Sequence, residues 1–236
     1  MFGQVPDLVA QEATLGARSD KLILLWYGAT FQDLAMERVW MGIVTWGPPQ
    51  ELIALLQKNF KFEAFVETGT FEGKTSLWAS ERFPKVYTIE ASKHYYDIAQ
   101  DTFSSADNID SRFGDTSLVL SRLIPNLPPS LIFLDAHWST GQTAGESNEC
   151  PLLTELEVIR PWFSRHVVMI DDARYFLEPP IRPHRFTDWP SIDEIIQAMN
   201  GTSYTVHYKD VLLMIPRIHR IRIEEAIRDL NENHDT

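Results

Sequence analysis

From residue 62 onward the chain alternates short apolar runs with helix-length segments, and this rhythm restricts the fold more than any other feature. Apolar runs at 64–67, 85–90, 109–113, 131–135 and 166–170 have strand length, and stretches of helical period lie between them near 74–82, 92–103, 116–124 and 151–161. Consecutive strands joined through a helix lie parallel, so the pattern predicts an α/β fold with a mostly parallel sheet flanked by helices. Two later β-rich runs, 203–208 and 211–215, enclose Lys209-Asp210 and predict an antiparallel hairpin. Residues 7–60 read as mostly helical, with Asp20 as a cap and Gly47-Pro48-Pro49 breaking the stretch before a helix over 50–59.

Ligands of open α/β sheets sit beyond the carboxyl ends of the strands. Here those ends are acidic in succession: Glu67, Glu90, Asp115 within Gly114-Asp115-Thr116, Asp135, and the pair Asp171-Asp172. A single carboxylate there reads equally well as a helix cap, whereas five successive ones line a rim. The first strand runs into Glu67-Thr68-Gly69-Thr70-Phe71-Glu72-Gly73-Lys74-Thr75-Ser76, an acidic residue and a two-glycine turn opening a helix. That order suits a nucleoside-bearing cofactor, because glycines let the backbone approach a ligand and a helix start presents unpaired N–H groups. The spacing is E-x-G-x-x-x-G, not the G-x-G-x-x-G that holds a dinucleotide pyrophosphate.

E-x-G-x-x-x-G closing a first strand resembles motif I of the class I S-adenosylmethionine-dependent methyltransferases, and the likeness extends over about 62–216. The resemblance implies a Rossmann-like seven-stranded sheet finished by the antiparallel hairpin. It also implies cofactor roles. Glu90 would accept the ribose hydroxyls, a task suited to an acceptor-only carboxylate. Asp115 would accept from the adenine amine, with Thr116 against the ring. Glu67, Gly69 and Thr70 would lie near the amino-acid end, and Gly73, Thr75, Ser76 and Asp135 would complete the site.

A second constellation joins Leu131-Ile132-Phe133-Leu134-Asp135-Ala136-His137-Trp138 with Val167-Val168-Met169-Ile170-Asp171-Asp172-Ala173-Arg174. It resembles the metal-dependent O-methyltransferases of the catechol and macrolide-sugar types. Carried over by position, Asp135, Asp171 and Asp172 would bind one hard divalent cation such as Mg²⁺, which lowers the pKa of an acceptor hydroxyl. Asp135 and His137 are the catalytic candidates, His137 as general base or as a further ligand. The chain departs from the catechol enzymes in having no lysine close behind Asp135. It carries instead a polar segment from Trp138 to Pro151, in which Ser139, Thr143 and Glu149 are substrate-site candidates or plain loop residues. The insert from Arg174 to Asp188 is rich in proline and aromatic residues and predicts a stiff wall; Tyr175, Phe176 and His184 read as wall packing or substrate contacts. Ser191 and Glu194 spell a capping box for a helix reaching Met199.

The 236 residues suffice for one domain, divided as an N-terminal helical cap at 1–60, a cofactor-binding core at 61–216 and a C-terminal helix and tail at 217–236. With 21 basic against 33 acidic residues the net charge is −12, which repels nucleic acid and suits a small-molecule substrate. The single Cys150 excludes an intrachain disulfide framework and, with no signal-peptide pattern and too short an apolar run at 22–31 to span a bilayer, leads to the expectation of a cytoplasmic protein without a membrane partner. The terminal helical stripe reads as packing on its own domain or as a homodimer contact.

The resemblance thus implies methyl transfer from S-adenosylmethionine to a hydroxyl of a small molecule, with Mg²⁺ as helper. Three other readings stay open: a metal-independent N-methyltransferase for an amine or guanidine, a metal-dependent hydrolase or oxygenase, and a non-catalytic cofactor-binding partner subunit.

Overall fold

The computed structural model describes residues 47–139, 141–145 and 147–232. The expected N-terminal cap, with Asp20, lies outside these residues except for its last helix, α1 (Gln50–Asn59), which begins where Gly47-Pro48-Pro49 ends. There follow β1 (Ala64–Thr68), α2 (Lys74–Ser80), β2 (Lys85–Glu90), α3 (Lys93–Thr102), β3 (Ile109–Phe113), α4 (Thr116–Leu123), β4 (Ser130–Leu134), α5 (Leu152–Ile159), β5 (His166–Ile170), the short α6 (Arg174–Leu177), α7 (Ile192–Ala198), β6 (Ser203–Tyr208), β7 (Val211–Pro216) and α8 (Arg220–Glu232).

The seven strands form one sheet in the order β3-β2-β1-β4-β5-β7-β6. Strands β1 to β5 pair in parallel, and β7 joins β5 antiparallel and carries β6 as its hairpin partner. The strand sequences explain the order. β1, β4, β5 and β7 are buried along their whole length and take the interior, while β3 and β6 are half-buried and sit at the edges.

Side chains alternate across the sheet and feed two cores. Ile132, Leu134, Val168, Ile170, Leu212 and Met214 pack with Leu120 of α4, Leu156 of α5 and Ile195 of α7. Leu131, Phe133, Val167, Met169, Leu213 and Ile215 pack on the opposite face with Leu52 and Leu56 of α1, Ala79 of α2 and Ile223 and Ile227 of α8. The terminal helix therefore packs on its own domain through Ile223 and Ile227, whereas Ile218 and Ile221 point outward.

Local signals explain where elements start and stop. Asp115 caps α4 by accepting from the Leu118 N–H at 2.9 Å, and Ser191 with Glu194 forms the expected capping box at the start of α7. The helix expected over 151–161 is shorter, because Pro161 lacks an amide hydrogen; α5 ends at Ile159 and a 3₁₀ segment, Arg160–Arg165, continues to β5. Among the described residues, no helix is long and apolar enough to cross a membrane.

Candidate active site

The chain leaves β1 toward β2 on one side and returns through β4 on the other, so the strand order reverses at β1 and a crevice opens beyond the carboxyl ends of β1 and β4. The rim is in register. Thr68 pairs with Ile89 of β2 and with Leu134 of β4, and Leu134 pairs with Ile170 of β5. The residues next after Leu134 and Ile170 are Asp135 and Asp171, which places the two acids side by side. Ladder bonds run one step past the strands: Asp135 N–H donates to the Thr68 carbonyl at 3.1 Å and Asp171 N–H to that of Leu134 at 3.0 Å.

The turn after β1 is built by its glycines. Gly69 has φ +82°, and a Cβ there would lie 2.3 Å from the carbonyl oxygen of Asp135. Gly73 has φ +81°, and a Cβ there would strike the Phe103 ring at 2.6 Å. Between them the Gly73 N–H donates to the Thr70 carbonyl at 2.9 Å, closing a tight turn.

Glu67 lies beneath this turn rather than on the open rim. It is 1% exposed and accepts from the hydroxyls of Ser76 at 2.5 Å and Thr88 at 2.9 Å. Since Thr88 spends its hydrogen on Glu67, Thr70 is the donor in the 2.6 Å contact between the two threonine hydroxyls. Burial outweighs these hydroxyls and pushes the Glu67 carboxyl up to about 7. Thr70, Thr88, Glu67 and Ser76 thus form a strut that fixes the turn.

Glu90 holds the turn from the β2 side. Its two carboxylate oxygens accept the N–H groups of Phe71 at 2.8 Å and Ser92 at 2.7 Å. Burial raises its pKa, and the backbone donors offset only part of that rise. Each carboxylate oxygen can accept twice, so acceptor capacity remains for a ligand diol. Asp115 and Thr116 follow β3, Asp115 as the α4 cap and Thr116 buried. Glu155 is itself buried in the first turn of α5, and burial pushes its carboxyl up to about 7.

On the other side of Gly69 the site is dense with charge. His137 places Nε2 2.7 Å from Asp172 Oδ2 and Nδ1 3.4 Å from Asp135 Oδ1. Arg174 Nη1 lies 2.6 Å from Asp172 Oδ1 and pairs closely with Asp210 as well. Asp172 adopts φ +57°, a left-handed conformation that a short polar side chain tolerates, and its carbonyl accepts the Tyr175 N–H at 2.9 Å.

The electrostatics follow from this packing. Burial, with Asp171 and Asp172 nearby, holds the Asp135 carboxyl well above its ordinary range, and burial next to Asp172 brings Asp171 up to about 7. Burial works against the charge of Asp172 too, but His137 and Arg174 overcome it and hold that carboxyl at about 2. Burial disfavours the imidazolium of His137, and Asp172 more than restores it, so the imidazole pKa is raised.

These contacts bear on both implied ligands. The Gly69 passage, the Thr70–Gly73 turn and the remaining acceptor capacity of Glu90 fit a nucleoside cofactor. A Mg²⁺ site of Asp135, Asp171 and Asp172 fits poorly, because both oxygens of Asp172 already face cations or donors, and among the described residues no group of three His, Cys, Asp or Glu side chains is gathered for a metal. His137 also differs from a free general base, since both its nitrogens face carboxylates.

Sequence reasoning passed over Arg174, which stood inside the Asp171-Asp172-Ala173-Arg174 motif, and treated Asp210 as a hairpin turn alone. A cation two residues behind an acidic pair was the available signal for the first. It also underrated Glu149, which is 2% exposed and ties the two inserts together. Its carboxylate accepts from Trp189 Nε1 at 3.0 Å and from the Arg185 N–H at 3.0 Å, and lies 3.2 Å from His184 Nδ1. Burial pushes Glu149 up, but Trp189, Arg185 and His184 prevail and leave it below its ordinary value. His184 and Tyr175 pack edge-on or tilted against Trp189, so they form a wall, with Phe176 buried behind it. Cys150 is pushed up to about 12 by burial, which removes it as a nucleophile near neutral pH.

No family model and no curated protein matches this sequence. Solved structures do match. A candidate O-methyltransferase from Klebsiella pneumoniae is 17% identical with a TM-score of 0.52, over 84% of this chain and 94% of that one. A candidate caffeoyl-CoA O-methyltransferase from Staphylococcus aureus is 14% identical with a TM-score of 0.51, over 82% of this chain and 95% of that one. Together with the strand order, these likenesses give the chain the Rossmann-like fold of the class I S-adenosylmethionine-dependent methyltransferases.

Proposed function

We propose that this protein transfers the methyl group of S-adenosylmethionine to a hydroxyl of a small-molecule acceptor. The observation that carries the reading is the division of the acidic rim at Gly69: Glu90 faces the glycine turn on one side, and Asp135 with His137 stands on the other. In this reading Glu90 holds the ribose hydroxyls, Asp115 and Thr116 lie toward the adenine, and the turn at Gly69 and Thr70 meets the amino-acid end. When bound, the cofactor would supply a methyl carbon on a cationic sulfur, and transfer would break that S–C bond, leaving its electron pair on sulfur, as the acceptor oxygen formed an O–C bond.

The chain's own residues manage the acceptor proton. Asp135 takes it from the hydroxyl, a role suited to a carboxyl that burial and its acidic neighbours have made more basic. His137 fixes the orientation of Asp135 through Nδ1 while Asp172 anchors its other nitrogen. The wall of Tyr175, His184 and Trp189 keeps bulk water from the reacting atoms. No step runs through a metal ion, since Asp172 is committed to Arg174 and His137.

Calorimetric titration with S-adenosylmethionine tests the reading. We expect one binding site in the wild-type chain and about 10–100-fold weaker binding in Glu90→Gln, which exchanges a double acceptor for a mixed donor and acceptor. A folded wild-type chain that fails to bind the cofactor overturns it.

A further inference from the structure

We propose that the guanidinium of Arg174 occupies the role that the resemblance gives to a divalent cation, so that the acceptor side of the site carries a built-in, permanent positive charge and excludes metal. The inference deepens the methyl-transfer reading, on which it rests for what the charge serves.

Three contacts fix the guanidinium. Nη1 pairs with Asp172 Oδ1 at 2.6 Å and closely with Asp210, whose Oδ1 separately accepts the Arg174 backbone N–H at 3.2 Å. The guanidinium carbon lies 4.3 Å from the centre of the Tyr175 ring. Only 16% of the side chain is exposed, so the charge is held inside the site rather than displayed at the surface. Asp210 comes from the β6–β7 turn, and the Ala173 N–H donates to its carbonyl at 2.9 Å, which makes the position of Arg174 a product of the sheet itself.

This arrangement competes directly with a metal. Mg²⁺ requires oxygen ligands at about 2.0–2.1 Å in a near-ideal octahedron. Asp172, the third carboxylate of the implied set, has one oxygen on Arg174 and the other on His137. A divalent ion at that carboxylate would stand a few ångströms from a guanidinium that does not deprotonate in proteins, a like-charge contact in a site with little solvent screening. Arg174 already supplies what the ion would give to its surroundings, a fixed positive charge among Asp135, Asp171, Asp172 and Asp210. Arg174 acts through Asp172 and is a positioning residue.

The experiment uses the full chain, treated with a chelator, with Mn²⁺ as a paramagnetic stand-in for Mg²⁺ and free Mn²⁺ read by electron paramagnetic resonance. Wild type is expected to leave the free-ion signal undiminished up to roughly 1 mM Mn²⁺. Arg174→Gln is expected to gain one Mn²⁺ site at least about tenfold tighter than any wild-type binding, because Asp172 is released, whereas Arg174→Lys keeps the ion out. A wild-type chain that binds Mn²⁺ one to one and loses it in Asp172→Asn overturns the proposal. So does an Arg174→Gln chain that melts cooperatively yet gains no site. Should Arg174→Gln fail to fold, the wild-type and Asp172→Asn measurements decide. Cofactor titration on the same samples keeps the two readings apart: loss of S-adenosylmethionine binding with Mn²⁺ still excluded fails the methyl-transfer reading alone.

Discussion

Gly69 and Asp135 are in backbone contact across the crevice, so close that a Cβ on the glycine would sit 2.3 Å from the Asp135 carbonyl oxygen. The contact brings the end of β1 against the end of β4 and divides the carboxylates of the rim into two groups. Gly69→Ala would meet both this collision and the cost of a side chain at φ +82°. We expect a loss of roughly 2–4 kcal/mol in urea unfolding. A change within about 0.5 kcal/mol would mean that the two strand ends are not locked together.

Glu67 predicts a pH dependence of a definite sign. Its carboxyl rises from 4.5 to about 7 on folding, so its favourable contribution is complete below pH 4.5 and is lost as the pH climbs through about 7. The shift corresponds to roughly 3 kcal/mol of penalty on the ionised form. Glu67→Gln keeps an oxygen for the Ser76 and Thr88 hydroxyls and removes the titration. Unfolding free energies from urea should match wild type at pH 4 and exceed it by about 1–3 kcal/mol at pH 8.5. Part of the wild-type slope should persist, because Glu155 and Asp171 also rise to about 7.

The alternation of apolar runs and helices was enough to read the sheet, because strands buried on both faces leave continuous apolar runs that end where the chain turns to solvent. Ile132, Leu134, Val168 and Ile170 illustrate it, each on the same face of the sheet and each from a run visible by eye. The acidic rim was legible for the same reason, since a strand end is a position in sequence as well as in space. What stayed hidden depends on the return of the chain. Arg174 meets Asp210 at a sequence separation of 36, and Glu149 meets Trp189 at a separation of 40, distances that no local period encodes. The strand-end position of Glu67 points to the cofactor, but its partners Ser76 and Thr88 lie on two other elements, a placement no local pattern reveals.

Glu149→Ala would strand the Trp189 indole N–H and the Arg185 N–H inside the protein. The expected cost is about 2–4 kcal/mol, with hydrogen exchange accelerating across residues 174–189 while β4 and β5 keep their protection. Uniform acceleration over the whole chain would contradict the role of Glu149 in tying the two inserts together.

Cys150 should resist thiol reagents. A thiol pushed up to about 12 is almost wholly protonated at pH 7.5, so a disulfide-exchange reagent is expected to label it only after denaturant is added. Stoichiometric labelling of the native chain within minutes would show that the thiol is open and ionised.

The segment following His137 folds back until the carbonyl of Gln142 accepts from Ser92 Oγ at 2.8 Å, while its far end is pinned where the Trp138 N–H meets the Glu149 carbonyl at 2.8 Å. One stretch of backbone therefore borders both compartments of the enzyme proposed above. In the methyl-transfer reading, a movement that broke the Ser92 bond would therefore reach the donor side and the acceptor side together.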